Sequence, residues 1–151
     1  MRVMREPLLI GWREWISLPQ LGLTAIKAKI DTGARSSSLH VAALETFERD
    51  GARWLRFAVT PRRGSVRTVQ CEAPVLARRV VTDSGGNSTE RWFIRSAIVL
   101  GSERIEADIN LSDRGGMLFP MLLGRTALRG RFRVDPELSW VCGRRKRSAR
   151  T

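Results

Sequence analysis

The chain has 151 residues, 42% of them apolar, and a formal charge of +12. That length suffices for one domain with its own core, and the apolar fraction excludes global disorder. No apolar run approaches the roughly 20 residues of a membrane-spanning helix. The stretch Leu8-Leu9-Ile10 near the start is too short for a signal peptide, so a cytoplasmic protein without membrane contact is expected. Cys71 and Cys142 are far apart and form no C-x-x-C pair, which suits reduced thiols. Five of the positive charges (Arg144, Arg145, Lys146, Arg147, Arg150) crowd the last eight residues. Residues 144–151 are therefore expected to be a disordered basic tail behind a single domain spanning 1–143. Elsewhere the excess is almost all arginine, whose planar fork suits carboxylates and phosphates, so an anionic substrate or a nucleic-acid neighbourhood would both fit.

In chain order, β-branched and aromatic segments alternate with turn signals. Strands are predicted at Leu8–Ile16, Thr24–Ile30, Leu44–Glu48, Trp54–Thr60, Val66–Glu72, Arg78–Thr82, Arg91–Leu100 and Glu103–Asn110. Turns are predicted at Asp50-Gly51, Arg63-Gly64, Asp83-Ser84-Gly85-Gly86-Asn87 and Gly101-Ser102. After Asp113-Arg114-Gly115-Gly116 comes the apolar run Met117–Leu123, ended by Gly124. Arg125–Arg129 reads as a short helix closed by Gly130, and Phe132–Val134 as a last strand stopped by Asp135-Pro136. Many short strands and one short helix predict a mainly β fold, a small closed barrel or sandwich.

The chemistry concentrates where the strand ending at Ile30 runs into Asp31-Thr32-Gly33-Ala34-Arg35-Ser36. An acid, a small hydroxyl residue and a glycine place a carboxylate on a sharp turn. Gly33 lets a backbone N–H approach it, and the Thr32 hydroxyl is expected to lock the loop. Two such carboxylates face to face share a proton; one activates water while the other protonates a substrate carbonyl. The tripeptide alone is usually only a turn. Here Leu122-Leu123-Gly124-Arg125 stands about 90 residues later, two apolar residues and a glycine entering a helix.

A strand, D-T-G-A, and a late apolar-apolar-glycine before a helix together resemble the retropepsins, the retroviral type of aspartic protease. The likeness widens through Ser37-Ser38-Leu39-His40, Leu111-Ser112-Asp113-Arg114, Met121 to Leu128, and Val134-Asp135-Pro136. Together these segments are similar to the bacterial RimB family, retropepsin-like proteins associated with the RimK glutamate ligase and often labelled ATP-dependent zinc proteases. The resemblance implies a closed retropepsin-like β-barrel and a cytoplasmic aspartic peptidase. It also implies trimming of glutamate tails from a ribosomal protein, which an arginine-rich surface would favour. Asp31, Thr32 and Gly33 are then the catalytic residues, with Ala34, Arg35, Ser36, Arg114 and Arg125 expected to meet substrate.

The zinc and ATP labels find no support in the residues. There is one histidine, His40, no H-E-x-x-H and no G-x-x-x-x-G-K-[ST] loop, so no metal site and no cofactor are expected. Retroviral enzymes carry an aspartate after D-T-G-A that pairs with the arginine after the late glycine. Arg35 takes that place here, leaving Asp113 as the expected partner of Arg125 and Arg35 free to face substrate. Asp83-Ser84-Gly85 has no late apolar-glycine partner and reads as a hairpin tip, so the dyad needs Asp31 from two chains, a C2 homodimer. His40 reads as a structural hydrogen-bonder. Ser36-Ser37-Ser38 reads as turn bonding rather than a nucleophile. The scattered tryptophans read as core or dimer packing. The rival from another class is a non-catalytic basic module associated with ribosome or RNA.

Overall fold

The computed structural model describes residues 6–61, 67–83, 85–113 and 118–143. Twelve strands appear: β1 (Leu8–Ile10), β2 (Arg13–Leu18), β3 (Leu23–Asp31), β4 (Ser37–His40), β5 (Ala42–Arg49) and β6 (Ala52–Val59), then β7 (Val69–Pro74), β8 (Ala77–Thr82), β9 (Ser88–Leu100), β10 (Glu103–Ser112), β11 (Met121–Gly124) and β12 (Phe132–Val134). Among the described residues one α-helix, α1 (Arg125–Leu128), follows β11 directly, and a 3-10 turn at Pro19–Leu21 links β2 to β3. The expected mainly β fold with one short helix is what the chain adopts.

The principal sheet runs β10-β4-β11-β3-β2-β9-β8. Because β10 also pairs with β9, the strands β10-β4-β11-β3-β2-β9 form a closed ring. Its narrowest join is β2 to β9, through the one register pair Ser17 and Val99. Strand alternation fills the interior: Ile16 and Leu18 from β2, Ile26, Ala28 and Ile30 from β3, and Ile105 and Ile109 from β10. Leu39, Ile98 and Met121 close the core around them, each with no exposed surface. Outside the ring, β5-β6-β7 make a separate three-stranded sheet and β1 pairs in parallel with β12.

Two elements differ in kind from the sequence reading. The strand expected over Leu8–Ile16 is broken at Gly11-Trp12, because a Cβ on Gly11 would overlap the Leu138 carbonyl. Trp12 donates its N–H to that same carbonyl (2.9 Å), so the chain turns to admit the 138–143 segment. Of the serines expected to form a turn, Ser36 stays in the bend, while Ser37 and Ser38 begin β4, which pairs with β10 on one side and β11 on the other. The hairpin signals hold: Asp50 and Gly51 both have positive φ (53° and 79°), as a two-residue turn between β5 and β6 requires. Arg63-Gly64, Val66, Met117 and the basic tail lie outside the described residues.

Candidate active site

Asp31 is the last residue of β3, in parallel register with Gly124 of β11. Gly33 donates its N–H to Asp31 Oδ1 (3.1 Å), and Ala34 donates to the Asp31 carbonyl (3.2 Å). The turn after the acid therefore folds back on it. The far side is held by the start of α1. The Arg125 N–H donates to the Ala34 carbonyl (2.8 Å), and both the N–H and hydroxyl of Thr126 donate to the Arg35 carbonyl (3.2 and 2.7 Å). Gly124 must be glycine for this contact, since a Cβ there would stand 2.5 Å from the Ser36 carbonyl oxygen. The late apolar-apolar-glycine segment thus supports the Asp31 loop through named backbone bonds.

A second layer lies beneath. Buried Ser37 accepts the Gly124 N–H on its hydroxyl (3.1 Å). Buried Ser38 donates to Asn110 Oδ1 (2.9 Å), and Asn110 Nδ2 donates to the Ser37 carbonyl (3.0 Å). Arg91 Nη1 also donates to Asn110 Oδ1 (2.9 Å). These serines hydrogen-bond as expected, but from a strand. Burying such polar groups is tolerable because each has a partner.

Asp31, Gly33, Ala34, Arg35, Ser36 and Arg125 line one open groove of about 1520 Å³. Thr32 is exposed beside them. Its hydroxyl makes no hydrogen bond among the described residues, so the loop is locked by the amides of Gly33 and Ala34, not by Thr32 as anticipated. Arg125 donates Nη1 to the Gly33 carbonyl (3.2 Å). It makes no ion pair with Asp113 among the described residues, and the pairing anticipated for those two gives way to this carbonyl. Arg35 makes no ion pair either among the described residues, and its exposed side chain borders the groove. Arg114 lies outside the described residues.

The groove continues beyond the residues that sequence singled out. Register places Arg79 opposite Arg91, Phe93 opposite Asn110, and Arg95 opposite Asp108, so one sheet face runs from β8 across β9 to β10. Ser38 and Leu122 extend that face toward Asp31. The alternation Arg91-x-Phe93-x-Arg95 beside Glu106-x-Asp108-x-Asn110 carried this signal. Asp83 caps the β8–β9 hairpin by accepting the N–H groups of Gly85 and Asn87 (2.9 and 3.0 Å). The expected hairpin tip is therefore present, and Val81, Thr82 and Asp83 border the same groove as Asp31.

Other chemistries are poorly provided for. Burial pushes the Cys71 thiol up to about 11, so it stays protonated and unreactive at neutral pH. Burial, then Glu14, also raises Cys142; both cysteines are free. Among the described residues no three His, Cys, Asp or Glu side chains gather as a metal-binding set. The Nδ1 of His40 is buried without a hydrogen-bond partner among the described residues, so the bonding role expected for it is not seen. No helix among the described residues is long and apolar enough to cross a membrane.

The chain is similar to several known proteins. A family model described as the retropepsin-like aspartic endopeptidase RimB matches residues 9–145. A probable alpha-L-glutamate ligase of Desulfotalea psychrophila is 43% identical over 136 residues, 89% of this chain and 29% of that protein. A probable alpha-L-glutamate ligase of Parasynechococcus marenigrum is 44% identical over 141 residues, 93% of this chain and 30% of that protein. The chain thus spans less than a third of the curated relatives it matches. A crystal structure of a Legionella pneumophila protein of unknown function superposes with a TM-score of 0.74 at 29% identity, covering 91% of this chain and 99% of that one. With an Asp-Thr-Gly turn braced by a late glycine strand, and a match over almost all of its described length, the chain belongs to the RimB-like family of retropepsin-like aspartic endopeptidases.

Proposed function

We propose that the chain is one half of an aspartic peptidase, completed by a second copy that brings its own Asp31. The carrying observation is the Asp31 turn itself, a half-exposed carboxylate held at a strand end by its own loop amides and bordering a groove. The Asp83-Ser84-Gly85 tripeptide is occupied as a hairpin cap, which supports Asp31 as the catalytic acid. In the paired site one carboxylate takes a proton from water as the oxygen attacks the scissile carbonyl. The other protonates that carbonyl oxygen, and collapse of the tetrahedral species releases a carboxylate and an amine. No metal or nucleotide enters these steps.

The groove's arginines suit an acidic peptide, and the glutamate-ligase relatives suggest one ending in glutamates. Trimming such a tail in the cytoplasm is the reading we favour, and the two free thiols suit that compartment. The test is Asp31→Asn on a glutamate-tailed protein substrate. Loss of cleavage by at least about a hundredfold, the scale of acid–base catalysis, is expected with folding unchanged. Equal cleavage by the variant overturns the mechanism. If neither protein cleaves but RNA binds with a steep salt dependence, the chain is a basic binding module instead.

A further inference from the structure

We propose that Asp108 is a built-in stand-in for a substrate carboxylate, occupying the arginine pair Arg79 and Arg95 until an acidic side chain displaces it. The inference deepens the peptidase reading by naming what sets charge selectivity in its groove, and in that sense rests on it.

Arg95 Nη1 lies 2.7 Å from Asp108 Oδ1, and Arg79 Nη1 lies 3.6 Å from Asp108 Oδ2. The three residues come from three neighbouring strands, β9, β8 and β10, and all border the groove that holds Asp31. Arg79 reaches across β9 to make its contact, with its guanidinium 4.8 Å from the centre of the buried Phe93 ring. That ring fixes the arm, so the guanidinium remains at the groove whichever carboxylate it meets. Arg91, on the same face, also donates to the buried Asn110 and to Thr89.

The ion pairs are poised to be exchanged. Their side chains are 50%, 54% and 37% exposed, so water screens them and each contributes little to folding. A carboxylate arriving on a peptide meets two cations already placed, and competes with one acid for them. A neutral side chain offers nothing that displaces Asp108. The groove therefore distinguishes glutamate from glutamine by exchange of like for like.

The experiment measures equilibrium binding by fluorescence anisotropy, using the full chain carrying Asp31→Asn so that no turnover intervenes. The probes are a tetraglutamate-tailed peptide and its glutamine-tailed counterpart. Adding Asp108→Asn should tighten the glutamate peptide roughly tenfold, the scale of one regained charged hydrogen bond, and leave the glutamine peptide unchanged. Arg95→Gln added to that variant should remove the gain. Glu48→Gln deletes the same charge from the exposed strand β5 and should shift binding less than about twofold. Asp108→Ser serves if Asp108→Asn does not fold. Equal tightening by Glu48→Gln, equal gains for both peptides, weaker binding with Asp108 removed, or no binding by any variant overturns the proposal. Because the readout is binding with Asp31 neutralised, a failure of cleavage leaves this outcome standing, and the converse holds as well.

Discussion

Glu14 stands in β2 at a position where alternation calls for an apolar side chain, between the exposed-face residues Arg13 and Trp15, and it is fully buried. Its carboxylate accepts the N–H groups of Gly11 (2.7 Å), Val141 (3.0 Å) and Cys142 (3.1 Å). One acid thereby ties the start of the chain to residues more than 120 positions later. Glu14→Ala leaves three inward amides without an acceptor, and each such orphan costs about 1–3 kcal/mol. A loss of about 3 kcal/mol or more, read as a fall in the urea midpoint, is expected. A shift under about 1 kcal/mol would show that the clasp carries no weight. Nearby, Trp140 holds a positive φ of 56° while its ring faces Trp15 at 5.6 Å, and both rings take up Lys27. The tryptophans, expected as core or dimer packing, are all half-buried, and each carries an arginine or lysine over its ring. Part of the arginine excess is thus spent covering indoles.

At the scale of elements, the sheet β5-β6-β7 shows how charge and aromatic packing act together. Arg49 and Arg56 both engage Glu72 (2.7 and 3.1 Å), Arg56 also reaches Glu45 (3.1 Å), and both guanidinium groups cover Phe47. Hydrogen bonds from Arg49, then Arg56, hold the Glu72 carboxyl below the usual carboxylate range. A depressed folded-state pKa means that this contribution is complete above the ordinary carboxylate range and is lost as pH falls through the lowered value. Amide exchange in β5 and β6, corrected for intrinsic rate, should therefore quicken between pH 6 and pH 3. Glu72→Gln should reproduce the quickening at pH 6. Equal protection at both pH values would remove the network from the account. Strand positions were legible because Asp50-Gly51 and Gly101-Ser102 announce hairpins and apolar alternation marks the inner face. β4 was not, since Ser37 and Ser38 are turned inward as polar residues and find partners only through Asn110 and Gly124. Arg79, Arg91 and Arg95 were equally hidden: their alternation is visible within each strand, but the sheet order that aligns the strands is non-local.

For the whole molecule, the decisive expectation is the second copy. On the proposed pairing of two half-sites, activity should fall more than in proportion on dilution. Co-expression of Asp31→Asn chains with the wild type should poison mixed dimers, so activity tracks the square of the wild-type fraction. Linear dependence on that fraction would show a self-sufficient chain. The charge of +12 opposes association of two copies, so added salt should favour pairing while weakening the grip on an acidic peptide. The family and the mainly β fold could be read from the Asp31 turn and the late glycine because both are local signatures. A closed barrel was expected, but that β2 and β9 are the strands that meet could not be read, because their join rests on a single register pair far apart in sequence.

The bonds that brace the far side of the Asp31 turn come from Arg125 and Thr126, more than 90 positions downstream. Chains are made from the N-terminus at about 5–20 residues per second, and long-range pairs close late. The aspartate therefore leaves the ribosome seconds before the residues that brace its loop. Until then the loop has only its own Gly33 and Ala34 amides to shape it. The brace on the site is thus the last part of it to be made.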